Sequence, residues 1–317
     1  MSIKIIGTGT GFPEKAVSNE ELSKFVDTND EWIVTRTGIK NRYICVEETL
    51  TDICAKAAES ALTKSGLNKD DIDLIICSTL NGDYITPSLA CSVAERLSIP
   101  KPAFDINAAC AGFIYALSIA EGYILSGRYK NVLIISAEKM SKHVDWQDRR
   151  TCVVFGDGAA ACIVTKGSAL KYLNLTVKPD VKLLKIDTGN GNSPFAPQQD
   201  RSFLHMDGQD MFKFAVNTID TQVKLALDAV KLSTEDIDYF LLHQANRRII
   251  DYARNKLHQP EEKVPVNIDR YANISSATIP VLIDEMLSDG RIKKGTRLLM
   301  TAFGAGLTTG TCIMEWE

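Results

Sequence analysis

Three residues in this chain of 317 have the types needed for covalent chemistry on an acyl group: Cys110, His243 and Asn273. Cys110 ends a strand-like run, Ala103-Phe-Asp-Ile-Asn-Ala-Ala, and begins a helix-like one, Ala111-Gly-Phe-Ile-Tyr-Ala-Leu. Unpaired backbone N–H groups converge at such a junction, and the positive end of the helix dipole favours the thiolate. His243 follows an apolar run in Leu241-Leu-His-Gln-Ala-Asn, and Asn273 lies in Tyr271-Ala-Asn-Ile-Ser-Ser. A thiol nucleophile, an imidazole and an uncharged amide donor together suit the formation and use of an acyl-cysteine.

Magnitudes divide the work among them. A free thiol of pKa about 8.5 is only a few per cent ionised near pH 7, and a helix terminus supplies roughly 0.3–1 kcal/mol, less than one pKa unit. The dipole alone therefore falls short. His243 is the remaining contributor, either accepting the thiol proton or standing nearby as a cation that favours the thiolate. Asn273 donates hydrogen bonds without bringing negative charge, whereas an aspartate there would repel a developing oxyanion. Asparagine thus fits stabilisation of an oxyanion better than a proton relay.

The elements that must position these groups repeat. Ser65-Gly-Leu-Asn-Lys-Asp-Asp-Ile-Asp-Leu-Ile-Ile-Cys matches Lys231-Leu-Ser-Thr-Glu-Asp-Ile-Asp-Tyr-Phe-Leu-Leu, with Asp71 and Asp236 aligned at an offset of 165. Upstream of each, apolar residues recur at helical spacing: Cys54, Ala57, Ala58 and Ala61, then Val223, Ala226, Leu227 and Val230. Each copy reads helix, tight turn, strand. Gly127-Arg-Tyr-Lys and Gly290-Arg-Ile-Lys match at an offset of 163, which carries Cys110 onto Asn273. Alternating helices and unbroken apolar strands such as Leu74-Ile-Ile-Cys predict an α/β protein with sheets covered on both faces. The expected halves are residues 1–171, with the cysteine, and 172–317, with the histidine and asparagine. The polar stretch Asp187 to Arg201 reads as a surface excursion. Ser18-Asn-Glu-Glu reads as a capping box that starts a helix leading to Trp32-Ile-Val-Thr-Arg-Thr-Gly-Ile.

Composition narrows the class. With 45% hydrophobic and 24% charged residues the chain can bury one large core or two fused ones, and nothing marks it as disordered. The apolar runs fall short of a membrane span and the first residues lack a signal-peptide layout, so cytoplasmic residence without membrane attachment is expected. A formal charge of −4 argues against nucleic acid while leaving room for a local basic patch. The eight cysteines are scattered with no C-x-x-C pair, which predicts neither disulfides nor a metal site and makes seven of them small core fillers.

Several motifs in order resemble one family: Asp30-Glu-Trp-Ile-Val-Thr-Arg-Thr-Gly-Ile, Ala108-Ala-Cys-Ala-Gly-Phe, Val154-Phe-Gly-Asp-Gly-Ala, His243-Gln-Ala-Asn, Asn273 and Ala302-Phe-Gly-Ala-Gly. They are similar to those of β-ketoacyl-acyl-carrier-protein synthase III in the thiolase superfamily. The resemblance implies a thiolase-like fold of two duplicated halves in αβαβα layers, and a homodimer. It implies that an acyl group passes from coenzyme A to the cysteine, then joins malonyl-acyl-carrier protein with loss of carbon dioxide, with no cofactor or metal. A related priming condensing enzyme of a polyketide or other secondary pathway is the alternative within the same resemblance.

The resemblance also distributes roles. The N–H groups of Cys110 and of Ala305, in the loop Gly304-Ala-Gly, correspond to the oxyanion hole; the family usually has glycine where Ala305 stands. Trp32 and Arg149 match residues flanking the adenine of coenzyme A, and Arg36 and Thr37 approach its nucleotide portion. Gly208, Phe212 and Asn246 match the pantetheine tunnel. Lys213, Arg247 and Arg248 match basic residues that face the acidic carrier protein, with Arg254 nearby. Thr86 takes the place of a bulky phenylalanine contributed across the dimer interface in acetyl-selective members, which predicts tolerance of longer primers.

Other features are expected to be structural. His143, His205 and His258 read as ordinary histidines, Gly7-Thr-Gly-Thr-Gly as a turn rather than a dinucleotide loop, and Asp157 as a turn residue. Papain-like hydrolases share the order Cys, His, Asn, but the Cys-Gly-x-Cys-Trp signature is missing and the duplication has no place in that scheme. A non-catalytic partner subunit would tend to lose the nucleophile, and a degradative thiolase needs a second reactive cysteine that Cys312 does not resemble.

Overall fold

Glycine at every second position of the run Gly7 to Gly11 is explained by the helix lying across it. A β-carbon on Gly7, Gly9 or Gly11 would collide with the carbonyl oxygens of Ala61, Ala57 and Ile53 respectively. Two residues of strand and four of helix both advance about 6 Å, so the two sets stay in step. The segment expected to be a turn is therefore the second half of a strand, β1 (Ser2–Gly11), pressed against a small-residue helix face. The computed structural model describes residues 1–191 and 193–317.

After β1 come β2 (Ala16–Ser18), α1 (Asn19–Leu22), α2 (Asp30–Thr37), β3 (Asn41–Tyr43), α3 (Leu50–Ser65), β4 (Leu74–Ser78), α4 (Leu89–Leu97) and β5 (Ala103–Ile106). Next are α5 (Gly112–Leu125), β6 (Val132–Lys139), β7 (Asp157–Gly167), β8 (Leu170–Asp180), β9 (Leu184–Lys185), β10 (His205–Met206) and α6 (Gly208–Val230). The chain ends with β11 (Tyr239–Leu242), α7 (Arg247–Lys256), α8 (Ile268–Tyr271), α9 (Thr278–Ser288), β12 (Arg297–Phe303) and β13 (Gly306–Glu315).

Two mixed sheets, ordered β1-β7-β6-β4-β5 and β11-β12-β13-β8, sandwich α5 and α9. Along β4, Leu74 and Ile76 face those central helices while Ile75 and Cys77 face α3 and α4. Along β12, Leu298 and Met300 face inward and Leu299 faces α6 and α7. The period-two alternation of wholly apolar strands thus feeds an inner and an outer core from each sheet, giving five layers, αβαβα. Lys171 falls inside β8, whose strand belongs to the second sheet; the sheets part in the short link between Gly167 and Leu170. That link carries no change of composition to mark it.

The repeat is visible in the caps. Asn68 and Asp71 form the same capping box as Ser233 and Asp236, each releasing the chain into a buried strand. The offset near Cys110 corrects the sequence alignment. Ala109, φ +48°, and Ser275, φ +52°, open matching 3₁₀ turns 166 residues apart, and Gly112 and Thr278 open the helices that follow. Cys110 is equivalent to Ser276, and Asn273 to Asn107. Both asparagines accept the N–H two residues ahead: Ala109 N at 3.2 Å from Asn107 and Ser275 N at 2.9 Å from Asn273. The offset of 163 holds only beyond the helices, because α5 has 14 residues and α9 has 11.

Of the seven cysteines expected in the core, six are buried, and Cys91 is exposed on α4. The Asp187–Arg201 segment, Asn192 lying outside the described residues, runs over the surface.

Candidate active site

Strand ends and helix starts from both halves converge at Cys110. The 3₁₀ turn Ala109–Ala111 precedes α5, so the cysteine stands at that helix's N-terminus as its sequence context implies. His243 leaves the end of β11 with its N–H donated to Thr301 O at 3.0 Å. Asn273 is clamped through its backbone: its N–H donates to Val154 O at 3.0 Å and its carbonyl accepts from Gly156 N at 3.2 Å. The motif Val154-Phe-Gly is therefore the cradle of the asparagine. Buried Arg42 secures that cradle by donating to Val153 O and Asn19 Oδ1.

Cys110, His243 and Asn273 line one cavity of about 120 Å³ with Gly208, Phe212 and Asn246. A backbone N–H can only donate, so the Ser275 amide fixes Oδ1 of Asn273 as its acceptor and leaves Nδ2 as the donor for the cavity. His243 Nδ1 meets the Thr278 hydroxyl at 2.7 Å, which keeps that nitrogen on the protein side of the ring. Phe303 packs edge-on against the imidazole at 5.4 Å between centroids.

Burial sets the charges. It pushes the Cys110 thiol up to about 12, with the nearby Ser275 hydroxyl pulling down and Glu138 pushing further up. Burial also lowers His243 to about 3. Desolvation at both sites favours the uncharged forms, a thiol and a neutral imidazole. The dipole of α5 is outweighed by desolvation.

The loop Gly304-Ala-Gly packs directly against the Cys110 amide. A β-carbon on Gly304 would lie 2.6 Å from Cys110 N, so glycine is required there to keep that amide open. Gly304 donates its own N–H to Thr308 O at 3.0 Å. The Ala305 N–H has no acceptor among the described residues, and Ala305 is not among the residues with positive φ, so its methyl group is accommodated. Thr308 Oγ1 contacts Ala108 O at 2.9 Å and Ala305 O at 3.1 Å, joining the two loops that carry the donors.

At the mouth, Asn246 caps α7 and donates from Nδ2 to Arg36 O at 3.0 Å, tying the cavity rim to α2. Trp32 on α2 is flanked by the guanidinium carbons of Arg36 at 4.5 Å and Arg149 at 5.0 Å. Thr37 departs from expectation: it is buried, its hydroxyl donates to Ile33 O at 2.7 Å and accepts from Ile39 N, and it shapes the end of α2 rather than facing a ligand.

Arg247 also departs. Its guanidinium is held by Asp251 at 2.9 Å and Glu261 at 2.7 Å, and Arg254 shares both acids. Arg248 is exposed with no acidic partner among the described residues, and Lys213 is exposed with only Asp210, three residues away, beside it. Thr86 is exposed after β4 and lines neither cavity at the cysteine. Its neighbour Ile85 lines a second cavity of about 850 Å³, which also reaches Cys110, past Asn107, Ser275, Ala305 and Thr308. Asp157 is buried and accepts from Cys45 N and Ser141 N, a structural role as expected. Thr278, Ser275, Glu138 and Thr308 were not singled out by the sequence; for Thr278 and Ser275 the signal was the 166-residue repeat. Among the described residues no group of three His, Cys, Asp or Glu side chains stands together to hold a metal, and no helix is long and apolar enough to cross a membrane.

Comparison with known proteins gives the family. Residues 104–180 match the family described as 3-oxoacyl-[acyl-carrier-protein (ACP)] synthase III, and residues 227–316 match its C-terminal portion. The chain is 44% identical to the beta-ketoacyl-[acyl-carrier-protein] synthase III of Clostridium acetobutylicum over 321 residues, 99% of each protein. The crystal structure of 3-oxoacyl-[acyl-carrier-protein] synthase III from Aquifex aeolicus superposes with a TM-score of 0.92 at 42% identity, covering 99% of this chain and 100% of that one. A priming β-ketosynthase of a polyketide biosynthetic pathway superposes with a TM-score of 0.93 at 32% identity, covering 99% and 96%. Shape does not separate the two kinds of relative, whereas sequence lies nearer the first. With its five-layered thiolase fold and full-length identity of this order, the chain belongs to the 3-oxoacyl-[acyl-carrier-protein] synthase III family.

Proposed function

We propose that this chain catalyses decarboxylative condensation of an acyl-CoA primer with malonyl-acyl-carrier protein, initiating fatty acid synthesis through an acyl-Cys110 intermediate. The reading rests on one observation: a thiol, an imidazole and a carboxamide Nδ2 from separate elements line one cavity, and the Ala305 amide lines the adjoining cavity that also reaches Cys110.

In the first half-reaction Cys110 Sγ attacks the thioester carbonyl while its proton passes to His243. The oxyanion lies between the N–H groups of Cys110 and Ala305, and the departing coenzyme A thiolate takes the proton back. In the second, the malonyl thioester loses carbon dioxide and Asn273 Nδ2 donates to the enolate oxygen. The enolate carbon then attacks acyl-Cys110, the carbonyl oxygen again using the two amides, and the thiolate returns to the cysteine.

Trp32, Arg36 and Arg149 hold the nucleotide of coenzyme A at the mouth, and its pantetheine arm passes Asn246, Phe212 and Gly208. Lys213 and Arg248 face the acidic carrier protein. A second copy of this chain, applied at the exposed segment Tyr84 to Thr86, is the proposed homodimer partner and would border the larger cavity, where the primer's acyl chain is expected. Incubation with a panel of acyl-CoAs, followed by peptide mapping, tests the reading. Acyl mass on Cys110 and a β-ketoacyl product after malonyl-carrier protein is added are the expected results; acylation elsewhere defeats it.

A further inference from the structure

Arg42, in β3, is wholly buried and forms no ion pair among the described residues. Its guanidinium donates instead to three uncharged oxygens: Val17 O at 3.3 Å, Asn19 Oδ1 at 2.8 Å and Val153 O at 3.1 Å. Burial lowers its pKa only to about 10, so it stays a cation at neutral pH. A buried cation without a counter-ion costs stability rather than adding to it, and here Nε has no acceptor among the described residues. What the arrangement supplies is a planar fork that fixes three segments of chain at once.

The fork joins two functional regions. Asn19 is buried, accepts from Arg42, and directs Nδ2 to Asp30 Oδ1 at 2.8 Å and Ile39 O at 2.7 Å, the first residue of α2 and the second beyond its end. One carboxamide thus brackets the helix that carries Trp32 and Arg36. On the other side, Val153 precedes Val154, whose carbonyl accepts from Asn273 N at 3.0 Å. Gly156, which donates to Asn273 O at 3.2 Å, packs on Arg42 itself: a β-carbon there would lie 3.2 Å from Arg42 Cβ. Lys40 N donates to Asp269 O at 3.0 Å, tying the same segment to α8, which ends two residues before Asn273. Among the described residues neither Asn19 nor Arg42 hydrogen-bonds to Cys110, His243 or Ala305.

We propose that Asn19 and Arg42 are positioning residues for the condensation step: together they hold the backbone cradle of Asn273 in register with α2 at the cavity mouth, so that Asn273 Nδ2 meets the enolate oxygen. They touch no reacting atom and move no proton. The inference rests on the reading of Asn273 as the enolate donor.

The test separates the two half-reactions. Arg42→Lys keeps the charge but puts a compact ammonium group in place of the planar fork. Acylation of Cys110 at saturating acyl-CoA, followed by intact mass, should stay within about threefold of wild type. Condensation of preformed acyl-enzyme with malonyl-carrier protein, followed as β-ketoacyl product, should fall about tenfold or more. In an Asn273→Ala background the donor to be positioned is gone, so adding Arg42→Lys should lower the residual condensation by less than about twofold. A defect that merely loosened the fold would act on both half-reactions and would multiply with Asn273→Ala. Equal loss in the two half-reactions, wild-type condensation in Arg42→Lys, or a full further loss in the double variant overturns the proposal. If Arg42→Lys does not fold, Asn19→Ala, which removes the acceptor at the centre of the fork, must meet the same three criteria. Wild-type condensation by Asn273→Ala alone would instead defeat the reading of the enolate donor.

Discussion

The Thr278 hydroxyl lies 2.7 Å from Nδ1 of His243 and 3.2 Å from Ser275 O, at the first residue of α9. The carbonyl can only accept, so the arrangement that satisfies all three groups has Nδ1–H donating to Oγ1 and Oγ1–H donating to Ser275 O. Nε2 then carries the lone pair needed to receive the thiol proton. Thr278→Val keeps the shape and leaves a buried ring nitrogen unpaired, at about 1–3 kcal/mol. Single-turnover acylation, followed by intact mass, should slow about tenfold or more in Thr278→Val and recover in Thr278→Ser. Wild-type acylation by the valine variant would show that the hydroxyl does not orient the ring.

Gly304 and Ala305 differ in what a β-carbon does. Adding one at Gly304 places it 2.6 Å from Cys110 N and 3.2 Å from Cys110 Cβ, inside the space proposed for the oxyanion. Gly304→Ala should lower the acylation rate by about 10²–10³-fold, the usual consequence of losing one such donor. Ala305→Gly, which alters no donor, should stay within about threefold. Equal rates for both variants would remove the oxyanion from this loop.

Cys110→Ser and Asn273→Ala should fail at different steps. Serine at position 110 lacks the thiol, and acyl label should vanish. Asn273→Ala retains the sulfur, the base and both amides but loses the donor proposed for the enolate, so Cys110 should still be labelled while condensation falls by about 10²–10³-fold. Quantifying acyl-enzyme and β-ketoacyl product in the same reaction separates the two; loss of labelling in Asn273→Ala would assign it to the first step.

Much of the site was legible because the reactive residues stand at strand ends, where local pattern is strong. Cys110 between strand and helix, His243 after Phe240-Leu-Leu, and the paired capping boxes at Asp71 and Asp236 are all local signals. What depends on distant chain was not. The Gly7–Gly11 run reads as a turn until α3, more than forty residues on, is laid across it. The pairing of Cys110 with Asn273 failed because three extra residues in α5 shift the repeat, a difference that short matches on either side conceal. Thr37 and Arg247 have the composition of binding residues, yet one is buried in its own helix turn and the other is held by Asp251 and Glu261. Glu138 gave no signal, since only the folded chain shows that it is buried.

Trp32 with Arg149 offers a binding prediction that separates affinity from chemistry. The guanidinium lies 5.0 Å from the indole and also donates to Asp27 O at 2.9 Å, so the two surfaces are held close without a ligand. A stacked, phosphorylated purine would exchange part of that cation–π contact for its own. Trp32→Ala and Arg149→Ala should each raise KM for acyl-CoA by about threefold to thirtyfold, from roughly 0.5–2 kcal/mol per contact, and leave kcat nearly unchanged. Acyl groups delivered on a short pantetheine thioester should show no such change, and a loss of equal size with both donors would place Trp32 outside the nucleotide site.

Burial holds His143 and His243 each at about 3, His143 with Arg201 beside it adding to the effect, whereas both rings titrate near 6.5 once the chain unfolds. Above pH 6.5 neither state takes up a proton at these sites and they contribute no pH dependence. As pH falls from about 6.5 toward 3, the unfolded chain binds protons that the folded one refuses, and stability drops by about 1.4 kcal/mol per pH unit for each histidine. Urea unfolding at a series of pH values across that window should therefore show a steep acid decline. His143→Gln, which cannot titrate, should reduce the slope by about 1.4 kcal/mol per pH unit without touching the proposed catalytic groups. A slope unchanged by the substitution would mean that the folded protein protonates His143 as readily as the unfolded chain does.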